Sequence, residues 1–227
     1  MTSTGAIIVA GGRGSRFGGD KLFASLGGIP VLERTLSIFE KDPRVSRVVL
    51  VLRADLVNAD WGRRFQKLAA VVPGGRDRHG SVRAGFFAVE KTKPDIVLVH
   101  DAVRPLAGRD LIARVIDGAL RWGAAAPVLP LEDTIKKVKG GRISGTLDRE
   151  ELGRVQTPQA FRREVLAAAM QQAGLDGFRG TDEASLVERM GGEVAAVAGE
   201  PRNLKITTPE DLIIAEALLE TENGNRI

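Results

Sequence analysis

Cysteine is absent from the 227-residue chain, so disulfide bonds and thiol catalysis are excluded, although the compartment is not decided by that. Tyrosine is absent as well, aromatic residues make up only 4%, and the two histidines, His79 and His100, cannot build a histidine-based metal site alone. No apolar run approaches the roughly 20 residues that a membrane span requires. Residues 1–5 lead straight into Ala6-Ile7-Ile8-Val9-Ala10 without the pattern of a secretory leader. A cytoplasmic protein without a membrane partner is expected. An excess of one charge is also missing. Lys plus Arg total 33 against 29 acids, a net charge of +4 that is too mild to argue for nucleic acid and suits a cleft for a small anion just as well. Linkers, repeats and low-complexity tracts are not visible, so residues 1–227 read as a single domain.

What is present is alternation. Residues 6–10, 48–52, 69–72, 96–100 and 124–129 are short, almost wholly apolar runs, as buried parallel strands are. Between and after them the spacing predicts helices over 31–41, 81–91, 110–122, 162–173 and 182–190, with a last helix opening at Thr208-Pro209-Glu210-Asp211. This pattern predicts an α/β fold with a doubly wound, mostly parallel sheet. One segment breaks the rhythm. Residues 136–146 read as two polar strands around Gly140-Gly141, a protruding β-arm (135–147). A polar hairpin is barely stable by itself, so a second subunit is the economical cover for it and a homodimer is expected.

The chemistry gathers in loops. The first strand runs into Ala10-Gly11-Gly12-Arg13-Gly14-Ser15-Arg16-Phe17-Gly18-Gly19-Asp20-Lys21. Glycines let backbone N–H groups approach a phosphate chain, and Arg16 and Lys21 add positive charge. The loop fits neither a P-loop, because Asp20 stands where its lysine belongs, nor a dinucleotide fingerprint, because Phe17 replaces a small residue. Asp101 ends a buried strand, where α/β proteins place their ligand crevice. One carboxylate there suits Mg²⁺, which takes one or two carboxylates plus phosphate oxygens. A helix cap or an ion pair with Arg104 is the other reading of Asp101. Ser81 could cap a helix or bond a ligand, and Lys205, between apolar neighbours in a short strand, points either into a cleft or into solvent.

The signature of the first loop resembles that of the sugar-nucleotide and alditol-phosphate nucleotidyltransferases. With His100-Asp101-Ala102-Val103-Arg104-Pro105, Asp133-Thr134, Thr157-Pro158-Gln159, Thr181-Asp182-Glu183-Ala184 and Asn203-Leu204-Lys205-Ile206-Thr207 in order, the chain resembles the 2-C-methyl-D-erythritol 4-phosphate cytidylyltransferase family from Ile7 to about Leu219. The resemblance implies a Rossmann-like nucleotidyltransferase fold, a Mg²⁺ cofactor, and CTP and methylerythritol phosphate as partners. It assigns Ala10, Gly11 and Gly12 to the base and ribose side of CTP, Gly75 and Ser81 to the cytosine, and Ala102 to the nucleotide site. Arg16 and Lys21 would hold the triphosphate, and Asp101 the metal. Arg104, Thr134, Thr181 and Lys205 would line the acceptor end. Arg149 and Thr157 would reach the methylerythritol phosphate, Arg149 from a partner subunit. There are departures. The interval between Arg16 and Lys21 is two residues shorter than in many members and is similar to that of molybdenum-cofactor guanylyltransferases. Arg76 replaces a common acid. Ribitol-5-phosphate cytidylyltransferases share Asp-Ala-Val-Arg-Pro and Thr-Pro-Gln, whereas the run from Thr181 to Ser185 favours the methylerythritol family.

Overall fold

The computed structural model describes residues 2–11, 17–57, 61 and 64–224. β1 (Thr4–Ala10) leads to a small ribbon of β2 (Ser25–Leu26) and β3 (Ile29–Pro30), then α1 (Val31–Lys41) and β4 (Val45–Leu52). The alternation continues through β5 (Leu68–Pro73), α2 (Arg78–Val89), β6 (Ile96–Asp101), α3 (Arg109–Trp122) and β7 (Ala124–Pro130). β8 (Lys136–Lys139), β9 (Arg142–Thr146), β10 (Gly153–Val155) and β11 (Gln159–Arg162) interrupt it. α4 (Arg163–Asp176), α5 (Ala184–Arg189), β12 (Ala195–Ala198) and α6 (Pro209–Gly224) follow.

Among the described residues, eight strands form one sheet in the order β10-β7-β11-β6-β1-β4-β5, with β12 also paired to β7. β1 shows why helices cover both faces. Its side chains alternate, so Ala6, Ile8 and Ala10 pack with Leu32, Leu36 and Phe39 of α1 and Ile112 of α3. Ile7, pointing the other way, packs with Val82 and Phe86 of α2 and Leu166 of α4. Each fully buried Val, Leu, Ile or Phe side chain among them contributes about 1.5–3 kcal/mol. Gly85 lets α2 pack directly on β1, since a Cβ there would come within 2.4 Å of the Ile7 Cγ2 atom.

Three strands of the sheet, β10, β11 and β12, depart from the expected pattern, and β10 pairs antiparallel with the end of β7. β11 is inserted antiparallel between β6 and β7, with Gln159 opposite Val99 and Ala160 opposite both Leu98 and Ala125. Its four residues include only two apolar ones, Ala160 and Phe161, and the helical period predicts a helix already from Arg162. β12 adds a parallel strand beside β7.

The arm forms as expected. Among the described residues β8 and β9 pair with each other alone, and Gly140 and Gly141, with φ of 57° and 72°, supply the two left-handed residues that a tight hairpin turn requires. Val138 and Ile143 face each other across the hairpin and are 67% and 69% exposed.

Candidate active site

In the sheet order the chain passes from β1 outward to β4 and β5, then returns to place β6 on the other side of β1. A crevice at the carboxyl ends of strands on either side of such a reversal is where open α/β sheets bind ligands. A cavity of about 610 Å³ lies there. Val9, Ala10 and Gly11 leave β1 into it, Asp101 and Val103 come from the end of β6, and Lys21 and Leu22 close one side. The turn from Gly75 to Asp77 and the first turn of α2, with Arg78 and Ser81, form the opposite wall, and Lys205 projects from the segment before α6.

The turn before α2 is built around one hydroxyl. Asp77 caps the helix by accepting from the Gly80 N–H at 2.7 Å, so α2 starts three residues earlier than the spacing predicts. Ser81 is therefore not the cap. Its Oγ accepts from the Gly75 N–H at 3.1 Å and donates to the Asp77 carbonyl at 2.8 Å. Gly75 passes so close to Gly80 that a Cβ on it would lie 2.7 Å from the Gly80 Cα. The glycine at 75 is thus needed for close approach, leaving a bare backbone on the cavity wall.

Lys21 is set by its neighbour. The Asp20 carboxylate pairs with Arg53 at 2.8 Å and accepts from the Leu22 N–H at 3.3 Å, which turns Lys21 inward to donate to the Ile206 carbonyl at 3.2 Å. For Lys205 the sequence predicts a short strand. Residues 203–207 instead form a strap without strand pairing. Buried Gln156 donates to the Glu200 carbonyl, buried Asn203 donates to the Thr157 carbonyl at 2.8 Å, and the Ile206 N–H donates to the Val103 carbonyl at 2.9 Å. With the strap held down on both sides, Lys205 reaches the Asp101 carboxylate at 2.8 Å.

Asp101 is the electrostatic centre. Lys205 lies at 2.8 Å, Arg78 at 3.6 Å and Arg104 at 3.8 Å from its oxygens. Burial alone would raise its pKa, yet the surrounding cations, Lys205 first, hold it down to about 2. Beneath it runs a buried relay. The Asp101 N–H donates to the Thr157 hydroxyl at 3.0 Å, which contacts His100 Nδ1 at 3.2 Å, while His100 Nε2 lies 3.1 Å from the Arg104 carbonyl. A carbonyl only accepts, so Nε2 carries the proton and Nδ1 accepts from Thr157. Burial pushes the His100 pKa down to about 4, which keeps the ring neutral.

These placements sort the expected residues. Ala10, Gly11, Lys21, Gly75, Ser81, Asp101 and Lys205 share the cavity. Gly12 and Arg16 lie outside the described residues. Thr157 lies beneath the cavity. Its hydroxyl is buried and occupied on both sides by the relay, so it supports the Asp101 backbone from below. Ala102 is likewise behind the cavity, its N–H given to the Val9 carbonyl and its carbonyl accepting from Thr35. Arg104 is buried and braces the strap by donating to the Asn203 carbonyl at 2.7 Å. Thr134, Arg149 and Thr181 are exposed and do not line this chain's cavity; Arg149 donates to the Glu132 carbonyl at the base of the arm. The sequence reading missed Arg78, which faces Asp101 and pairs with buried Glu183 at 2.5 Å. Its position within the Gly-rich turn was the available signal, but nothing in the spacing separates it from Arg76.

For a divalent cation the donor set is spare. Among the described residues no group of three or more His, Cys, Asp or Glu could hold a metal. Asp101 offers one carboxylate, whose Oδ1 has Arg78 no nearer than 3.6 Å. That fits an ion delivered on a polyphosphate and touching the protein through a single carboxylate, not one held in a protein cage.

The family model for 2-C-methyl-D-erythritol 4-phosphate cytidylyltransferase matches residues 4–221. The chain belongs to that family. Relatives of that name in Bacillus licheniformis and Geobacillus kaustophilus are 43% and 44% identical over 96% and 94% of this chain, and 96% of each relative is covered. The crystal structure of the family member from Thermus thermophilus superposes with a TM-score of 0.79 at 34% identity, covering 94% of this chain and 98% of that one. The 4-diphosphocytidyl-2C-methyl-D-erythritol synthase structure from Anaerococcus prevotii gives 0.85 at 30% identity, covering 96% and 99%. Membership makes the chain a cytidylyltransferase. Among the described residues no helix is long and apolar enough to cross a membrane.

Proposed function

We propose that this cleft transfers the CMP group of CTP to 2-C-methyl-D-erythritol 4-phosphate, giving 4-diphosphocytidyl-2-C-methyl-D-erythritol and pyrophosphate in the cytoplasm, as a step of non-mevalonate isoprenoid synthesis. The observation that carries the reading is the meeting of Lys21, Lys205 and Asp101 over a glycine-lined strand end.

The acceptor phosphate is already an anion at neutral pH, so no strong general base is required. One of its oxygens attacks the α-phosphorus of CTP in line, the bond from that phosphorus to the bridging β-phosphate oxygen breaks, and the electron pair leaves on pyrophosphate. Catalysis is then positioning and charge neutralisation. The backbone of Ala10, Gly11 and Gly75 receives the nucleoside, with Ser81 fixing the Gly75 turn. Lys21 and Arg16 hold the triphosphate, and Lys205 neutralises charge developing between donor and acceptor. Mg²⁺, held by Asp101 and phosphate oxygens, supplies further charge neutralisation when bound. Thr134 and Thr181 bound the acceptor end beyond the cavity described above, and Arg149 reaches it from a second subunit by way of the arm.

The test is pyrophosphate release with each of the four NTPs, with methylerythritol phosphate or ribitol 5-phosphate as acceptor, with and without Mg²⁺. CTP with methylerythritol phosphate is expected to give the highest kcat/KM. An unpaired buried hydroxyl costs about 1–3 kcal/mol, so discrimination of about 10- to 100-fold against the ribitol compound is expected. A better kcat/KM with ribitol 5-phosphate would overturn the acceptor assignment, and one with GTP the nucleotide assignment.

A further inference from the structure

Glu183 is a poor choice for stability. It is 1% exposed, one carboxylate oxygen pairs with Arg78 at 2.5 Å, and the other has no hydrogen-bond partner among the described residues. Burying a carboxylate with an unsatisfied oxygen is unfavourable, and apolar replacements of buried ion pairs are often neutral or stabilising. The pair therefore calls for a role other than holding the fold.

Its position supplies one. Arg78 sits in the first turn of α2, the helix whose entry turn forms the nucleotide wall, and its second nitrogen lies 3.6 Å from Asp101. Glu183 lies at the turn that leads into α5, directly after Thr181 and Asp182. That turn is fixed from its other side by buried Gln159, which donates to the Asp182 carboxylate at 2.6 Å and accepts from the Ala184 N–H at 3.2 Å. One planar guanidinium thus reaches two carboxylates on two different elements, a span that a lysine's single ammonium does not reproduce.

We propose that Arg78 is a positioning residue: through Glu183 it sets the 181–184 turn against the acceptor end, and through Asp101 it sets the reacting centre, so that one side chain aligns both halves of the cleft. This rests on the function assigned above. Arg78 acts through Glu183 and Asp101 rather than on the reacting atoms, so its loss appears as misplacement, and displacement by about 1 Å can cost up to about 100-fold.

The experiment is steady-state kinetics on full-length protein, with both substrates varied. Glu183→Gln keeps the volume and removes the charge that holds Arg78. It is expected to raise the KM for methylerythritol phosphate about tenfold while the KM for CTP stays within about twofold, a split that general loosening of the fold does not produce. Arg78→Lys is expected to lower kcat about 10- to 100-fold as well, because Asp101 loses its second brace. The double variant should be no worse than Arg78→Lys, since residues acting as a unit are not additive. If Arg78→Lys does not fold, Glu183→Gln decides the matter alone. Unchanged constants for both substrates in Glu183→Gln, with an active parent, overturn the positioning role and leave the function standing. A parent that transfers no CMP to methylerythritol phosphate overturns the function and takes this inference with it.

Discussion

At the scale of single residues, the Lys21 ammonium, proposed above to hold the triphosphate, touches the Ile206 carbonyl of the strap that carries Lys205. Two lysines from opposite ends of the chain are thereby brought to one centre. Lys21→Ala removes a charge that stabilises the transition state, and loss of one such donor costs about 100- to 1,000-fold in turnover. Coupled assays of pyrophosphate release check this, and a kcat within about threefold of the parent would remove Lys21 from the mechanism. His100 makes a separate, thermodynamic prediction. Its pKa falls from 6.5 to about 4 on folding, so above pH 6.5 it is neutral in both states and contributes nothing to the pH dependence. Between pH 6.5 and 4 the unfolded chain takes a proton that the folded one refuses, and stability falls with falling pH by about 3 kcal/mol in all. Asp101 acts lower down: its stabilisation is complete above its ordinary value of 3.8 and is lost as pH falls toward about 2. Urea midpoints at about pH 7 and about pH 4.5 should therefore separate widely in the parent and less in His100→Gln. Equal separations in the two proteins would mean that the buried ring is not the cause.

At the scale of elements, the turn between β5 and α2 depends on backbone meeting backbone. Gly75→Ala places a Cβ 2.6 Å from the Gly80 carbonyl carbon, so the turn must open. Overpacking of this kind costs about 1–3 kcal/mol, and the KM for CTP should rise because the displaced backbone is the wall proposed above to receive the nucleoside. Gly174→Ala, inside α4 with nothing within 4 Å of the added atom, is the control and should stabilise by about 0.5–1 kcal/mol. Thermal unfolding and KM for CTP read both; a Gly75→Ala protein matching its parent in each would show the close approach to be dispensable. The same contrast explains what the sequence made legible. Apolar runs such as Ile96–Asp101 and an amphipathic helix such as Val31–Lys41 carry their own period, so local residues alone identify them. β11 and β12 do not: four residues each, they are strands only because β6 and β7 offer partners, a fact of tertiary pairing. The site divides likewise. Strand-end residues such as Asp101 follow from the fold class, whereas Arg78 matters because the turn into α5 delivers Glu183 to it, and no local pattern near residue 78 encodes that meeting.

At the scale of the whole molecule, the arm is the unfinished part. Among the described residues β8 and β9 pair only with each other, and they expose Val138 and Ile143 on a hairpin otherwise rich in lysine. Arg149, at the foot of the arm, stays outside this chain's cavity. Both features are resolved if two copies exchange arms about a two-fold axis, each arm covering its neighbour and delivering Arg149 to the neighbour's acceptor end. Sedimentation at micromolar concentration should then give a dimer, but a dimer by itself would not establish a shared site. Mixing does. Lys21→Ala and Arg149→Ala homodimers should each be nearly inactive, because every site lacks one of the two groups. After subunit exchange, about half the dimers are mixed. In each of these one site combines intact Lys21 from one copy with intact Arg149 from the other, so random exchange should restore about a quarter of the parental activity. If Arg149 instead serves its own chain, every subunit remains defective and mixing restores nothing, whatever the oligomeric state. Recovery near a quarter supports the arm exchange, and its absence in a preparation shown to have exchanged subunits overturns it.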